Sequence, residues 1–233
     1  MYFDELTMKE FGKAVGKSKL VIWPIGAVEE HGDHLPLCTD SVQPVHVAQE
    51  VAELTGALVA PPLWYGNCGS TANFPGTISL QFDTLRAVAF DVVSELARQG
   101  FSKIVVLSGH AGRLHMAALR LAAEEVLDER PDLKIMVLSD YDIAYTIKDD
   151  AIPEDDGHAG MMETSRVLAI TPELVKGKGK KFIPKFPKYR VMRDSEKYFP
   201  GGVMGDPTKA SAAKGREWND YIVKELAKLV KEM

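Results

Sequence analysis

Four short apolar runs, each followed by a polar stretch and then by helical spacing, set the rhythm of the first 140 residues. Leu20 to Ala27 is apolar on both faces, the pattern of a strand covered by helices on each side. Thr39, Asp40 and Ser41 then offer helix N-caps, and Val42, Val45, Val47, Ala48, Val51 and Leu54 recur at helical spacing up to Gly56. Ala57 to Leu63 predicts a second strand, entering a loop rich in Gly, Asn, Ser and Thr from Trp64 to Gly76. A helix follows over Phe82 to Gln99, with Gly100 suited to the position after its end. Lys103 to Ser108 predicts a third strand, running into Gly109-His110-Ala111-Gly112. Leu114 to Leu127 is again helical, and Lys134 to Ser139 predicts a fourth strand. Strands alternating with helices predict an α/β fold, a three-layer α/β/α arrangement around a mostly parallel sheet. Ligands of such sheets bind outside the carboxyl ends of the strands. Residues following strands one and three therefore share one edge.

Beyond Asp142 the pattern changes. Tyr145 to Gly160 is acidic and reads as a loop, closing on Gly157-His158-Ala159-Gly160, and Met161 to Ile170 reads as a short helix with Glu163, Thr164 and Ser165 near its start. From Lys176 to Lys197 nine basic residues face two acidic ones, and Pro, Gly and aromatics interrupt them, which predicts an irregular excursion or hairpin. Thr208 to Met233 predicts a final amphipathic helix. No repeat or linker divides the chain, so its 233 residues are expected to form one domain, 1–233.

Composition narrows the function classes. Hydrophobic residues at 45% and charged residues at 26% are those of a globular protein. A net charge of −5 gives no reason to expect a nucleic-acid partner. The acidic N-terminus lacks a secretory pattern, and the longest apolar run, Leu20 to Val28, is far short of the roughly 20 residues a membrane span needs. Cys38 and Cys68 cannot build a disulfide framework. These features lead us to expect a cytoplasmic enzyme that engages no membrane.

The chemistry concentrates in Pro24 to Asp40, PIGAVEEHGDHLPLCTD, where Glu29, His31, His34 and Asp40, with Glu30 and Asp33 between them, follow the first strand. Carboxylate oxygen and imidazole nitrogen together suit zinc, manganese and iron(II). Glu29 and His31 stand at i and i+2, Asp40 opens the next helix and can turn back toward them, and His110 arrives from strand three. A carboxylate shared by two ions would hold them roughly 3.5–4 Å apart. His34, Glu30 and Asp33, each taken alone, read better as solvated or hydrogen-bonded loop groups. Cys38 reads as loop packing. Trp64 and Tyr65 suit either core packing or stacking on a planar ring.

PIGAVEEHGDHLPLCTD resembles the signature of the creatininase family of metal-dependent amidohydrolases. The likeness continues through Phe74-Pro-Gly-Thr-Ile-Ser, Ser108-Gly-His110, His158-Ala-Gly-x-x-Glu163-Thr-Ser and Gly202-Val-Met-Gly-Asp206-Pro, in order and over nearly the whole chain. The resemblance implies a creatininase-like scaffold, two divalent metal ions, hydrolysis of a non-peptide amide C–N bond, and a homo-oligomer. By that resemblance Glu29 and His110 match ligands of one ion, His31 a ligand of the other, Asp40 the bridging carboxylate, and His158 a catalytic histidine. Creatininase itself carries a glutamate ligand where this chain has Gly112, and another glutamate where it has Gly157. Water, substrate, His34 or Glu163 is then left to complete the second ion. Both departures argue against creatinine as substrate. SGHAGRLH and HAGMMETS look more like the archaeal branch that deformylates 2-amino-5-formylamino-6-ribosylaminopyrimidinone 5'-monophosphate with iron(II), in riboflavin and deazaflavin cofactor biosynthesis. The basic segment, Arg113 and the helix start at Gly112 are candidates to meet that substrate's phosphate. Competing expectations are a family hydrolase for another small cyclic or linear amide, and a non-catalytic metal- or nucleotide-binding subunit.

Overall fold

The computed structural model describes residues 2–147 and 152–233, so the predicted acidic loop from Tyr145 to Gly160 includes four residues, 148–151, outside the described ones. A capped helix α1 (Met8–Lys17) leads into β1 (Leu20–Ile25). There follow α2 (Thr39–Thr55), β2 (Leu58–Val59), α3 (Phe82–Arg98), β3 (Lys103–Ser108), α4 (Arg113–Glu129) and β4 (Lys134–Ser139). The four strands pair in parallel in the order β2-β1-β3-β4, with β1, β3 and β4 in continuous register from Leu20, Lys103 and Lys134 to Ile25, Ser108 and Ser139. After β4 come α5 (Asp140–Ala144), α6 (Met161–Ile170) and α7 (Ala212–Glu232).

Side-chain alternation along the strands sorts the core into two layers. Val21, Trp23, Ile25, Ile104 and Val106 pack with Leu85, Val93 and Leu119 of α3 and α4. Ile22, Val105 and Leu107 point to the other face, against Val47 and Val51 of α2 and Trp218, Ile222 and Leu226 of α7. This is the three-layer α/β/α arrangement that the apolar runs predict.

Local departures have local reasons. The second strand is two residues long, not seven, because Pro61 and Pro62 have no N–H to pair; beyond them only Leu63 bridges back to Ile25. Capping starts α7 at Ala212 rather than at Thr208, since Ser211 accepts the Lys214 N–H and a 3₁₀ turn, Pro207–Lys209, precedes it. The unpredicted α5 begins directly on β4, where Ser139 and Asp142 form a reciprocal cap. From Lys176 to Lys197 the chain is irregular apart from a 3₁₀ turn at its end, as expected. No helix among the described residues is long and apolar enough to cross a membrane.

Candidate metal centre

The close approach of two glycine-permitted loops builds the site at the carboxyl edge of the sheet. A Cβ on Gly109 would stand 2.1 Å from the Asp40 carbonyl oxygen and 2.5 Å from Pro44 Cδ. Only glycine lets the end of β3 rest on the first turns of α2, and that contact brings His110 beside Asp40. Asp40 lies in the first turn of α2, yet its carboxylate does not cap the helix. Its Oδ1 is 3.1 Å from His31 Nε2 and its Oδ2 is 2.9 Å from His110 Nδ1. One carboxylate thus faces two imidazoles, one through each oxygen.

Backbone carbonyls decide which imidazole nitrogens carry protons. Glu29 O lies 3.1 Å from His31 Nδ1, and Asn67 O lies 3.0 Å from His110 Nε2. A carbonyl only accepts, so these nitrogens donate, and His31 Nε2 and His110 Nδ1 are left as lone pairs. The His31 lone pair meets Asp40 Oδ1 and, at 3.5 Å, Glu163 Oε2. The His110 lone pair meets Asp40 Oδ2 and, at 2.8 Å, Glu29 Oε2. His31 Nε2 and Glu29 Oε2 are both buried with no aligned hydrogen bond. Lone pairs converging on carboxylates in a buried place repel unless a cation lies between them. In the metal-free protein a proton fills that role. Burial lowers the affinity of His31 and His110 for it, but Asp40 and Glu163 beside His31, and Glu29 and Asp40 beside His110, outweigh burial and raise both histidines well above the ordinary imidazole value. Burial also works against the charged form of Asp40, and His31 and His110 overcome it, holding the carboxyl well below its usual range.

The donor set therefore fits two divalent ions: Glu29, Asp40 and His110 on one side, and His31, Asp40 and Glu163 on the other. All four sequence-predicted ligands converge here. Glu29 and His31, though two residues apart, face different halves. Glu163, one of the candidates that the sequence left open, lies beside His31, its Oε2 3.5 Å from Nε2. It stands in the first turn of α6, where Oε2 accepts the Ala159 N–H at 2.6 Å and Oε1 accepts the Tyr141 hydroxyl at 2.8 Å. Burial would raise its carboxyl, but His31 and the Ala159 N–H hold it at about 2.

His158 stacks against His31 with ring centroids 4.2 Å apart and turns Nε2 toward Glu30, 2.9 Å from the carbonyl and 3.2 Å from Oε1. Burial and the neighbouring His31 lower its proton affinity, while Glu30, Glu29 and Glu163 raise it, with a net increase. One nitrogen of His158 also comes within 4.8 Å of donor atoms of Glu29 and His31. The contacts of Nε2 to two Glu30 oxygens assign a proton to that nitrogen. Glu30, read from the sequence as a loop charge, is buried and positions His158. Asp33 is exposed, whereas His34 binds Thr164 Oγ1 at 2.9 Å, outside the cluster. Trp64 and Tyr65 are exposed and do not line the metal cavity; Tyr141 and Tyr145 do.

Three supporting residues escaped the sequence reading. Tyr141, in the first turn of α5, bonds both Gln43 and Glu163. Thr71 donates its hydroxyl to Glu29 Oε1. His115, fully buried and with proton affinity lowered by burial and by His110, joins Asn67 N–H to Ser108 Oγ behind His110. Tyr141 carried a signal, since it follows a strand at the ligand-binding edge, and so did Thr71, within the Asn67 to Asn73 loop that matches a family loop near the active site.

A creatininase family model, described as creatinine amidohydrolase, matches residues 4–230. The chain is 34% identical over 254 residues to creatinine amidohydrolase of Pseudomonas putida, covering 100% of this chain and 96% of that one. It is 35% identical over 211 residues to the mycofactocin precursor peptide peptidase of Mycolicibacterium smegmatis, covering 84% and 78%. The crystal structure of creatinine amidohydrolase superposes with a TM-score of 0.90 at 32% identity, over 99% of this chain and 96% of that one. Similar solved creatininases include a mutant of Zn-Zn type (TM-score 0.90, 32% identity, 99% and 97% covered) and a Mn form (0.87, 33%, 99% and 97%). With the family model spanning all but the ends of a sheet and site built as above, the chain belongs to the creatininase family of amidohydrolases.

Proposed function

We propose that this chain is a formamide hydrolase that releases formate from 2-amino-5-formylamino-6-ribosylaminopyrimidinone 5'-monophosphate, with Glu29, His31, Asp40, His110 and Glu163 holding two divalent ions. The observation that carries the choice of substrate is at Gly112. A Cβ there would stand 2.3 Å from His110 Nε2, so the glutamate that creatininase carries at this place has no room beside His110 as it is held here. Glu163 serves the second ion instead. Gly112 and His110 also form the shared wall between the metal cavity, about 190 Å³, and a second cavity of about 560 Å³ whose lining includes Arg113 and Met192. A compact substrate such as creatinine needs no second chamber; a ribonucleotide does. Arg113 makes no ion pair among the described residues and so offers a free cation to a phosphate.

Two divalent ions held by Glu29, His31, Asp40, His110 and Glu163 would supply Lewis acidity and would make a water acidic enough to ionise near neutral pH. Asp40 orients both halves through its two oxygens. His158, kept protonated by Glu30, gives its proton to the amine nitrogen as the formyl C–N bond breaks, so the nitrogen leaves as a neutral amine. Tyr141 and Ala159 N–H hold Glu163 against rotation.

The test is an anaerobic assay of metal-free protein reconstituted separately with iron(II), zinc and manganese, with formate as the readout. Formate from the ribonucleotide, and none in His158→Gln, is the expected result. Creatinine turnover with no formate under any metal would overturn it in favour of the second reading, a creatininase-type activity, which the full-length similarity to creatinine amidohydrolase favours.

A further inference from the structure

The loop that carries Asn67 and Thr71 also brings a sulfur to the Glu29 side of the centre. Cys68 is completely buried, and its Sγ, a Glu29 carboxylate oxygen and a His110 ring nitrogen all lie within 4.8 Å of one another. The sulfur makes no hydrogen bond among the described residues. An independent observation points to a ligand in the same space. Thr71 fixes Glu29 Oε1, while Glu29 Oε2, on a residue only 1% exposed, faces His110 Nδ1 at 2.8 Å with no aligned hydrogen bond.

We propose that Cys68 is a fourth protein ligand, as thiolate, of the ion held by Glu29, Asp40 and His110. This inference rests on the two-ion reading above. The metal–sulfur bond forms as the S–H proton leaves to solvent, so no oxidant or reductant is involved. Bonds of about 2.3 Å to sulfur and about 2.0 Å to nitrogen or oxygen place donor atoms of a tetrahedral ion roughly 3.5 Å apart, so the Cys68, Glu29 and His110 donors, here within 4.8 Å of one another, would draw together on binding.

The consequence is an asymmetric pair. Four protein donors close the first ion as in a structural zinc site, whereas His31, Asp40 and Glu163 leave the second ion an open position for water and substrate. A soft thiolate favours zinc, cobalt and iron(II) over manganese at the closed site. Cys38, which the sequence places between the ligands, sits half-buried at the N-cap of α2 and outside these clusters.

The experiment is anaerobic titration of the metal-free full chain with cobalt(II), following the visible d–d bands and the near-ultraviolet sulfur-to-cobalt charge-transfer band. Two bound cobalt ions with one charge-transfer band, lost in Cys68→Ser and kept in Cys38→Ser, is the expected result. Cys68→Ser should also weaken zinc by about 10- to 100-fold while leaving manganese within about threefold. Two bound cobalt ions with no sulfur band, or a band lost only in Cys38→Ser, would overturn the Cys68 assignment and leave the two-ion centre standing. No cobalt bound would overturn the centre itself. Should Cys68→Ser fold poorly, X-ray absorption of the zinc-loaded wild type decides: a sulfur neighbour at about 2.3 Å supports Cys68, and nitrogen and oxygen alone overturn it.

Discussion

Two buried polar clusters lie near the carboxyl edge of the sheet, and they differ in how their charges close. In the first, Arg166 Nη2 meets Asp140 Oδ2 at 2.5 Å, Arg166 Nε donates to Asn219 Oδ1 at 2.8 Å, and the guanidinium carbon lies 4.9 Å from the Tyr141 ring centre. Both charged side chains are completely buried, and each answers the other. In the second, carboxylates of Glu29, Asp40 and Glu163 face histidine lone pairs. The Arg166–Asp140 pair closes its charges, although Asp140 Oδ1 and Arg166 Nη1 keep no aligned hydrogen bond, whereas lone pairs turned on carboxylates ask for cations. Burial of polar residues alone does not distinguish a structural from a chemical cluster; the direction of donors and acceptors does.

The comparison breaks most sharply at Asp40. Asp40→Ala should lower kcat/KM on the order of 10³-fold or more, since several kcal/mol of cationic stabilisation depend on both ions. Metal content of the purified variant is the check, and wild-type content would separate ligation from catalysis. Arg166→Met should act on the other cluster only. It should destabilise the fold by about 3–5 kcal/mol in chemical denaturation by leaving Asp140 unpaired, while metal bound per folded molecule stays unchanged. Adding Asp140→Leu should recover most of that loss.

Tyr141 touches both clusters, so Tyr141→Phe sharpens the division. The ring over Arg166 remains and the hydroxyl on Glu163 goes. We expect about 1–2 kcal/mol of lost stability and a 10- to 100-fold weaker second ion by competitive titration, with the first ion little changed. The smallest effect is one of pH on the metal-free protein. His31 and His110 have raised proton affinities, so their contribution to stability is present below the unfolded imidazole value near 6.5 and is lost as pH rises through the folded values. Asp40 and Glu163 are lowered, so theirs is present above about 4 and is lost on acidification, for Glu163 through about 2. Thermal melts of metal-free protein should peak between about pH 4.5 and 6.5. Loaded protein should not decline on the alkaline side, because ions replace the protons.

Much of the fold was legible in the chain because the apolar periods are local. The runs 20–25 and 103–108 are continuous and buried on both faces, 134–139 lies at the sheet edge and is buried only at its end, and the helices between them carry apolar positions at helical spacing. Where two prolines interrupted a run, at 61 and 62, the strand was shorter than its apolarity suggests. The site was legible where its residues cluster in sequence. Glu29, His31 and Asp40 stand within one stretch, and the sheet's geometry predicted that His110 would join them.

What the chain could not disclose by itself were partnerships made across it. Glu163 is 132 positions from His31 along the sequence and reaches it through the N-terminus of α6. Glu30 resembles any loop carboxylate until His158 folds onto it. Cys68 is an ordinary loop cysteine until Asn67 and Thr71 fasten its loop to His110 and Glu29. The sequence by itself determined the layers, the parallel sheet and the edge on which the ligands gather, because periodicity and capping act over a few residues. Only the tertiary structure decided how the donors divide into two halves and which nitrogen of each histidine is free, because these depend on backbone carbonyls and carboxylates that meet only after the layers have packed.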